Sequence, residues 1–247
     1  MKNKAKTPII LSKVDSTNNY ANHLILSEAA EEGTVVLAHY QEKGRGQVGN
    51  QWESEAGKNL LCSVILYPKF LLAEHQFFIS KAVSLALYDF LKNEIGNVTI
   101  KWPNDLYAGK EKIAGILIEN AIKGKFLLQS VAGIGLNLNQ EKFLSDAPNP
   151  VSLKQLTSKK YNVEEVAGIF SERLFFWYNK LKKGNLEEIA AVYFSHLFRV
   201  GKWSRYRGKD IEFEGRIVGV GEYGQLMLEN RQGKITNYMF KEVEFVL

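Results

Sequence analysis

The chain has 247 residues, of which 45% are hydrophobic and 24% are charged, and these values are ordinary for a globular protein and exclude a disordered one. The formal net charge of +5 is modest and no run of five or six like charges occurs, so charge alone does not indicate nucleic-acid binding. The single cysteine, Cys62, excludes an internal disulfide or a cysteine metal cluster, and no run of about eighteen apolar residues predicts a membrane helix.

Residues 1–11, MKNKAKTPIIL, contain lysines but no apolar stretch long enough for a signal peptide. We therefore expect a soluble cytoplasmic protein that does not contact a membrane. The modest positive charge suits an anionic substrate as well as it suits nucleic acid.

The first predicted elements are a short strand, IILSKV, and a helix over DSTNNYANHLILSEAAEEG that ends at Gly33. Ser16 or Thr17 is a natural N-cap for this helix. Capping needs only one such side chain, yet Ser16, Thr17 and Asn18 follow Asp15 in succession. A polar binding cluster is therefore the alternative interpretation.

A glycine-rich segment, EKGRGQVGNQWESEAGKNL, follows the predicted strand TVVLAHYQ. GRGQVG matches the dinucleotide-binding pattern G-x-G-x-x-G, but a second strand, LLCSVILY, follows it instead of a helix, so we reject that interpretation. We expect a mobile loop in which Arg45 binds phosphate or carboxylate oxygens and Trp52 stacks on a ring. A plain flexible linker is the alternative. Cys62, inside the second strand, is expected to be a buried structural thiol.

After an amphipathic helix over EHQFFISKAVSLALYDFLKNEI comes KWPNDLYAGKEKIAGILIE, which predicts two strands on either side of a polar turn. Asn104 and Asp105 are ordinary turn formers. Lys101 and Lys112 are not, and we expect both to converge with the amide and carboxylate on one small volume suited to anionic groups. An ordinary polar hairpin with solvated lysines is the alternative.

The strand KFLLQSVAGIGLNLNQ carries Gly133 and Gly135, which indicate either close approach of a ligand or a bulge. The chain then turns between Pro148 and Pro150. VSLKQLT predicts a helical turn, and two helices follow over YNVEEVAGIFSERLFFWYNKLKKGN and NLEEIAAVYFSHL. Asn162 with Glu165 is spaced like a capping box, and Gly184 ends the first of the two helices.

From Arg199 the pattern changes to period two and predicts four or five short strands, with turns at Gly208, Gly215, 221–224 and 230–233. We expect a catalytic domain over residues 1–198 and a small β-barrel over 199–247. The four histidines show no metal spacing, and neither a G-x-S-x-G elbow nor a Walker loop occurs. The candidate groups therefore stabilise charge and do not supply a nucleophile.

Six motifs in order resemble the biotin protein ligase family, from about Ile9 to the C-terminus: DSTN (15–18), YQ (40–41), GRGQVGNQW (44–52), KWPNDLY (101–107), KIAGILIE (112–119) and GIGLNLN (133–139). KWPND followed by K-[IL]-A-G-I-L is a highly specific signature. The resemblance implies an α+β fold: a catalytic domain with a mixed sheet and flanking helices, like class II aminoacyl-tRNA synthetases, followed by an SH3-like barrel.

The resemblance also implies an ATP-dependent, AMP-forming ligase. Biotin and Mg-ATP would give biotinyl-5′-adenylate and pyrophosphate, and a lysine of a biotin carboxyl carrier protein, or of a carrier domain of a biotin-dependent carboxylase, would then take the biotinyl group. A lipoate ligase of the same fold and a non-catalytic biotin- or nucleotide-binding regulatory module are the alternatives.

The matching motifs imply roles for individual residues of this chain. Catalytic roles fall on Lys112, Arg45 and Lys101. Biotin would contact Ser16, Thr17, Asn18, Gln41, Gly44, Arg45, Lys112 and Gly115. The nucleotide would contact Arg45, Gly46, Gln47, Trp52, Asn104, Asp105 and Asn137, and Asp105 is the candidate contact for Mg²⁺.

Two departures from the family pattern stand out. Gln47 and Asn50 occupy positions where many members have arginine, so phosphate binding would depend more on Arg45 and on backbone groups. No helix-turn-helix precedes Ile9, and we predict no DNA-binding role. Both a monomer and a homodimer are compatible with the sequence.

Overall fold

The computed structural model describes residues 7–47, 50–144, 149–209 and 211–246. Gly49 of the glycine-rich loop and Pro148 of the predicted turn lie outside these residues. The first half of the chain forms β1 (Ile9–Leu11), α1 (Thr17–Leu26), β2 (Val35–Ala38), β3 (Leu60–Leu66), a 3-10 turn (Ala73–His75), α2 (Phe77–Glu94), β4 (Val98–Lys101), β5 (Asp105–Ala108), β6 (Glu111–Lys123) and β7 (Phe126–Leu136).

These strands form a seven-stranded sheet in the order β1-β2-β3-β7-β6-β5-β4. Strands β1 and β2 are parallel, and the other neighbours are antiparallel, so the predicted mixed sheet is confirmed. Helices cover both faces, which explains why β2 and β3 are buried along their whole length. Val35 and Leu37 face the main core with α2, whereas Val36 faces Ala21 of α1.

The remaining elements are α3 (Leu153–Thr157), α4 (Val163–Lys182), α5 (Leu186–Ser195), β8 (Trp203–Gly208), β9 (Ile211–Val220), β10 (Leu226–Glu229), β11 (Ile235–Tyr238) and β12 (Glu244–Phe245). The side chain of Asn162 accepts hydrogen bonds from the backbone of Glu164 and Glu165, as its cap position predicts. Gly184 follows α4 with a φ of +80°. No described helix combines the length and the apolar character needed to cross a bilayer.

The last five strands form one antiparallel sheet in the order β11-β10-β9-β8-β12. The predicted small β domain is therefore confirmed, while the boundary between residues 198 and 199 stays a prediction. Gly215 does not form the expected turn. It lies inside β9, paired with Ser204, where a side chain would come within 3.5 Å of the Tyr206 ring.

Helix α1 is shorter than predicted. It ends at Leu26, well before Gly33, because Glu28 takes a left-handed conformation with a φ of +55° and turns the chain away. Ser16 occupies the N-cap position, but its side chain makes no capping hydrogen bond. The polar cluster is thus not explained by helix capping.

The segment from Lys101 to Glu119 contains an additional strand. Instead of two strands around one turn, β5 (Asp105–Ala108) lies between β4 and β6 and pairs with both of them. Leu106 and Tyr107 are fully buried, and Gly109 makes a second turn with a φ of +63°. Asp105 therefore begins a strand, and the two lysines lie on strands that β5 separates.

Candidate active site

A cavity of about 120 Å³ lies where α1 and the glycine-rich loop meet β6 and β7. Most of the residues predicted for biotin and nucleotide line it: Ser16, Thr17, Asn18, Gln41, Arg45, Gly46, Gln47, Trp52, Asn104, Asp105, Lys112 and Gly115. The other lining residues are Asn50, Gln51, Ile116, Leu117, Gly133, Ile134 and Gly135. Residues that are far apart in the sequence thus share one cavity.

Thr17 and Gln41 orient each other at one end of the cavity. The backbone nitrogen and the hydroxyl of Thr17 both donate to the side-chain oxygen of Gln41, at 2.7 and 3.0 Å. The amide oxygen of Gln41 is therefore occupied, and its NH₂ group is the one that remains for a ligand. Such a donor suits a neutral carbonyl acceptor.

Ser63 and Glu119 hold Asn18 from two sides. The Ser63 hydroxyl lies 2.6 Å from Oδ1 of Asn18 and 2.7 Å from Oγ1 of Thr17. Nδ2 of Asn18 donates to Glu119 at 2.8 Å. Neither supporting residue is predicted by a local sequence pattern, although Ser63 is a polar side chain at the centre of an apolar strand.

Glycines make the floor of the cavity. A side chain at Gly133 would come within 2.3 Å of Asn18, and one at Gly135 within 2.3 Å of the Trp52 indole. A side chain at Gly115 would come within 2.8 Å of the same indole. Pairing of β7 with β3 and β6 is regular at Gly133 and Gly135, so close approach of side chains, and not a bulge, explains these two glycines.

The described part of the glycine-rich loop folds back on itself. Gly44 accepts a hydrogen bond from Trp52 at 2.9 Å, and Gly46 donates to Asn50 at 3.0 Å. This pairing carries Trp52 onto the glycine floor. Among the described residues, no acceptor bonds to the buried Nε1 of Trp52.

Arg45 projects from this loop onto two other elements. Its guanidinium lies 2.6 Å from the carboxylate of Glu119 on β6 and donates to Asn19 of α1 at 2.7 Å. The loop arginine is therefore already paired with a carboxylate, and an anionic ligand would compete with Glu119 for it.

Asp105 and Lys112 form the second ion pair of the cavity. Nζ of Lys112 lies 2.8 Å from Oδ1 of Asp105 and 5.7 Å from the centre of the Trp52 ring. Asn104 donates to the carbonyl oxygen of Ile116 at 3.0 Å, which ties the bend after Pro103 to β6. Asp105 is the one carboxylate among the described lining residues. One carboxylate and one amide oxygen suit Mg²⁺ that takes its remaining ligands from water and phosphate.

Three predicted residues do not line the cavity: Gly44, Lys101 and Asn137. Lys101 donates to the hydroxyl of Tyr107 at 3.0 Å and lies 5.4 Å from the Phe245 ring, so it does not line the cavity, and its convergence with Lys112 stays a prediction. Burial lowers the pKa of Lys101, the charge of Asp105 partly offsets this effect, and the charge of Lys112 adds to it. Asn137 is buried and donates to Val151 at 3.1 Å, joining the end of β7 to the segment before α3.

Cys62 has the predicted structural position. It is buried in the main core, and burial raises the pKa of its thiol to about 12. The thiol therefore stays protonated and unreactive at neutral pH.

The chain is similar in sequence and in fold to known proteins. The profile of the Biotin/lipoate A/B protein ligase family matches residues 11–137. The biotin--[acetyl-CoA-carboxylase] ligase of Paracoccus denitrificans is 30% identical over 233 residues, covering 91% of this chain and 95% of that protein. The bifunctional ligase/repressor BirA of Bacillus subtilis is 27% identical, covering 91% and 70%. Biotin protein ligase from Aquifex aeolicus, solved with biotin and ATP, is similar over 97% of this chain and 98% of its own, with a TM-score of 0.80 at 26% identity.

Proposed function

The chain belongs to the biotin/lipoate A/B protein ligase family, and from this premise we propose that it is a biotin protein ligase. It activates biotin with ATP to biotinyl-5′-adenylate and transfers the biotinyl group to a lysine of a biotin carboxyl carrier protein or carrier domain. The observation that carries this proposal is a single cavity in which a neutral hydrogen-bonding end, Thr17 with Gln41, adjoins a charged end, Lys112 with Asp105.

The neutral end suits the ureido ring of biotin. The NH₂ group of Gln41 donates to an uncharged carbonyl oxygen, and Ser16 and Thr17 offer hydroxyls beside it. Asn18 contributes mainly to the shape of this end, because its Nδ2 is engaged by Glu119 and its Oδ1 by Ser63. The carboxylate of biotin then points toward Lys112.

The charged end of the cavity neutralises the negative charges of the two reacting groups. A carboxylate and an α-phosphate about 4 Å apart repel each other by roughly 4 kcal/mol at an effective dielectric of 20. Each cation in the described lining, Arg45 and Lys112, is already paired with a carboxylate. Asp105 and the side-chain oxygen of Asn104 would hold Mg²⁺, which supplies additional positive charge.

In the first step, an oxygen of the biotin carboxylate attacks the α-phosphorus of ATP, and the bond to the β-phosphate oxygen breaks to release pyrophosphate. Lys112 holds the attacking carboxylate and the α-phosphate in line, which lowers the entropic part of the barrier. In the second step, the amine of the carrier lysine attacks the mixed anhydride and AMP leaves.

The glycine-rich loop protects the reactive anhydride from water. Arg45 binds the carboxylate or phosphate of the intermediate once it is released from Glu119, and Trp52 covers the adenine. The unpartnered Nε1 of Trp52 supports contact with a ligand, because a buried indole N–H normally has an acceptor.

Intact-mass spectrometry tests the proposal. The protein is incubated with Mg-ATP, biotin and an apo carrier domain, and parallel reactions contain lipoate or no ATP. We expect the carrier to gain one biotinyl group only when both ATP and biotin are present. A mass gain in the reaction with lipoate and Mg-ATP, but not in the reaction with biotin, would identify a lipoate ligase. Binding of biotin without formation of the adenylate or modification of the carrier would indicate a regulatory binding module.

A further inference from the structure

The turn between β9 and β10 brings the C-terminal sheet into contact with Trp102. Nε1 of Trp102 donates to the carbonyl oxygen of Gly224 at 2.8 Å, and this tryptophan is only 3% exposed. Because a buried indole N–H needs an acceptor, this hydrogen bond fixes the orientation of the ring.

The turn approaches closely enough to require glycine. Gly224 has a φ of +89°, and a side chain there would come within 2.6 Å of the Phe77 ring of α2. Phe240, from the segment after β11, packs with ring centres 5.3 Å from Trp102 and 5.9 Å from Phe77. The indole thus contacts Gly224 and Phe240, which in turn pack against Phe77 of α2.

Trp102 directly precedes the bend that carries the charged end of the cavity. Asn104 follows two residues later and is bonded to Ile116, and Asp105 follows three residues later in its ion pair with Lys112. A shift of the indole is therefore transmitted through a short stretch of chain to groups whose placement matters to within about 1 Å.

We propose that the C-terminal sheet positions the adenylating site: Gly224 and Phe240 hold Trp102, and Trp102 in turn holds Asn104 and Asp105 against Lys112. Trp102 is a positioning residue and does not touch a substrate. This inference rests on the proposed function and assigns the C-terminal sheet a part in the first chemical step.

Trp102→Phe tests the proposal, because it keeps an aromatic ring in place and removes the N–H. We expect kcat for biotin-dependent exchange of pyrophosphate into ATP to fall by about tenfold. The Kd for biotin measured calorimetrically without nucleotide should change by less than twofold, because Thr17 and Gln41 are held by their hydrogen bonds to each other and not by the bend after Trp102. A general loss of folding would change both quantities.

Glu222→Ala is the matched control. Glu222 lies in the same turn and contacts His75 at 2.7 Å, so its removal breaks another contact between the C-terminal sheet and the rest of the chain. We expect its exchange kcat to stay within twofold of wild type. If Trp102→Phe does not fold, Phe240→Leu removes the other contact to the indole and should give the same split between kcat and Kd.

The outcomes are separable. If the wild type is active and Trp102→Phe has the same exchange kcat, the positioning role alone is overturned. The same conclusion follows if Glu222→Ala loses as much exchange kcat as Trp102→Phe. Wild type inactive in the exchange would overturn the proposed function and this inference with it.

Discussion

The guanidinium of Arg45 lies 2.6 Å from one oxygen of Glu119, and the other oxygen of that carboxylate accepts a hydrogen bond from Asn18 at 2.8 Å. One side chain of β6 therefore joins the glycine-rich loop to α1. Charge-assisted hydrogen bonds of this length are among the stronger ones in proteins, so Glu119 couples the position of the loop to the wall of the neutral end of the cavity.

Glu119→Gln removes this charge while keeping the shape of the side chain. We expect the KM for biotin in the exchange reaction to rise about five- to thirtyfold, corresponding to about 1–2 kcal/mol, because loss of the carboxylate that anchors Asn18 at the neutral end outweighs the release of Arg45 for an anionic ligand. The measurement is steady-state exchange over a range of biotin concentrations. Glu42→Gln, which disrupts the exposed pair with Lys13, is the control and should leave this KM unchanged. An unaltered KM in Glu119→Gln would contradict the coupling.

Lys112→Ala tests the centre of charge neutralisation. We expect pyrophosphate exchange to fall by a factor of about 100 or more, because Lys112 is the lining cation closest to Asp105. The free energy of unfolding should fall by only about 1–3 kcal/mol, the cost of leaving Asp105 without its partner. Lys110→Ala, at an exposed position two residues earlier, should change neither quantity. Unchanged exchange in Lys112→Ala would refute its assigned role.

Gly135→Ala tests the glycine floor. The added methyl would lie 2.3 Å from the Trp52 indole, so the indole must leave its position and the loop must move with it. We expect biotin binding, measured by calorimetry, to weaken at least tenfold, with the loop cut faster by proteases. Gly168→Ala is the matched control, since nothing lies within 4 Å of that added methyl on α4, and it should stabilise the fold slightly. Equal biotin affinity in both variants would exclude the packing role of Gly135.

Local patterns in the sequence predicted most of the elements and much of the cavity. The period-two and period-3.6 patterns identified β3, α2, β7, α4 and the C-terminal strands, and the turn and cap residues Asn162 and Gly184 mark real helix ends. The motifs predicted that Thr17, Gln41 and Lys112 belong to one site, and all three line one cavity in the structure.

Long-range contacts account for what the sequence did not predict. Ser63 and Glu119 act on Asn18 from 45 and 101 residues away, so no local spacing indicates them. Lys101 was expected in the cavity because it lies where a predicted strand meets the polar turn. Its side chain packs instead on Tyr107 and on Phe245, a contact with the last strand of the chain that no local pattern carries.

Lys81 of α2 gives the protein a measurable pH dependence. It is 3% exposed, its ammonium lies 4.1 Å from the centre of the Phe78 ring, and Phe77 and Tyr193 also face it. Burial lowers the pKa of Lys81 from 10.5 to about 8. Between these two values the unfolded chain binds more protons than the folded one, so the free energy of unfolding rises with pH across this window.

Lys81→Met removes the titration and keeps the apolar stem. Because the folded protein loses the Lys81 proton at a pKa of about 8, whereas the unfolded chain keeps it up to 10.5, the wild type should gain about 2 kcal/mol of unfolding free energy relative to this variant between pH 7.5 and 9.5. Urea unfolding at several pH values measures the difference, and comparison of the two proteins cancels the titration of other groups, including Tyr193, whose pKa burial raises. Lys125→Met, which removes an exposed lysine that also lies over a ring, should run parallel to wild type. A constant difference between wild type and Lys81→Met across the window would mean that the Lys81 ammonium is solvated in the folded protein and that its ring contacts do not desolvate it.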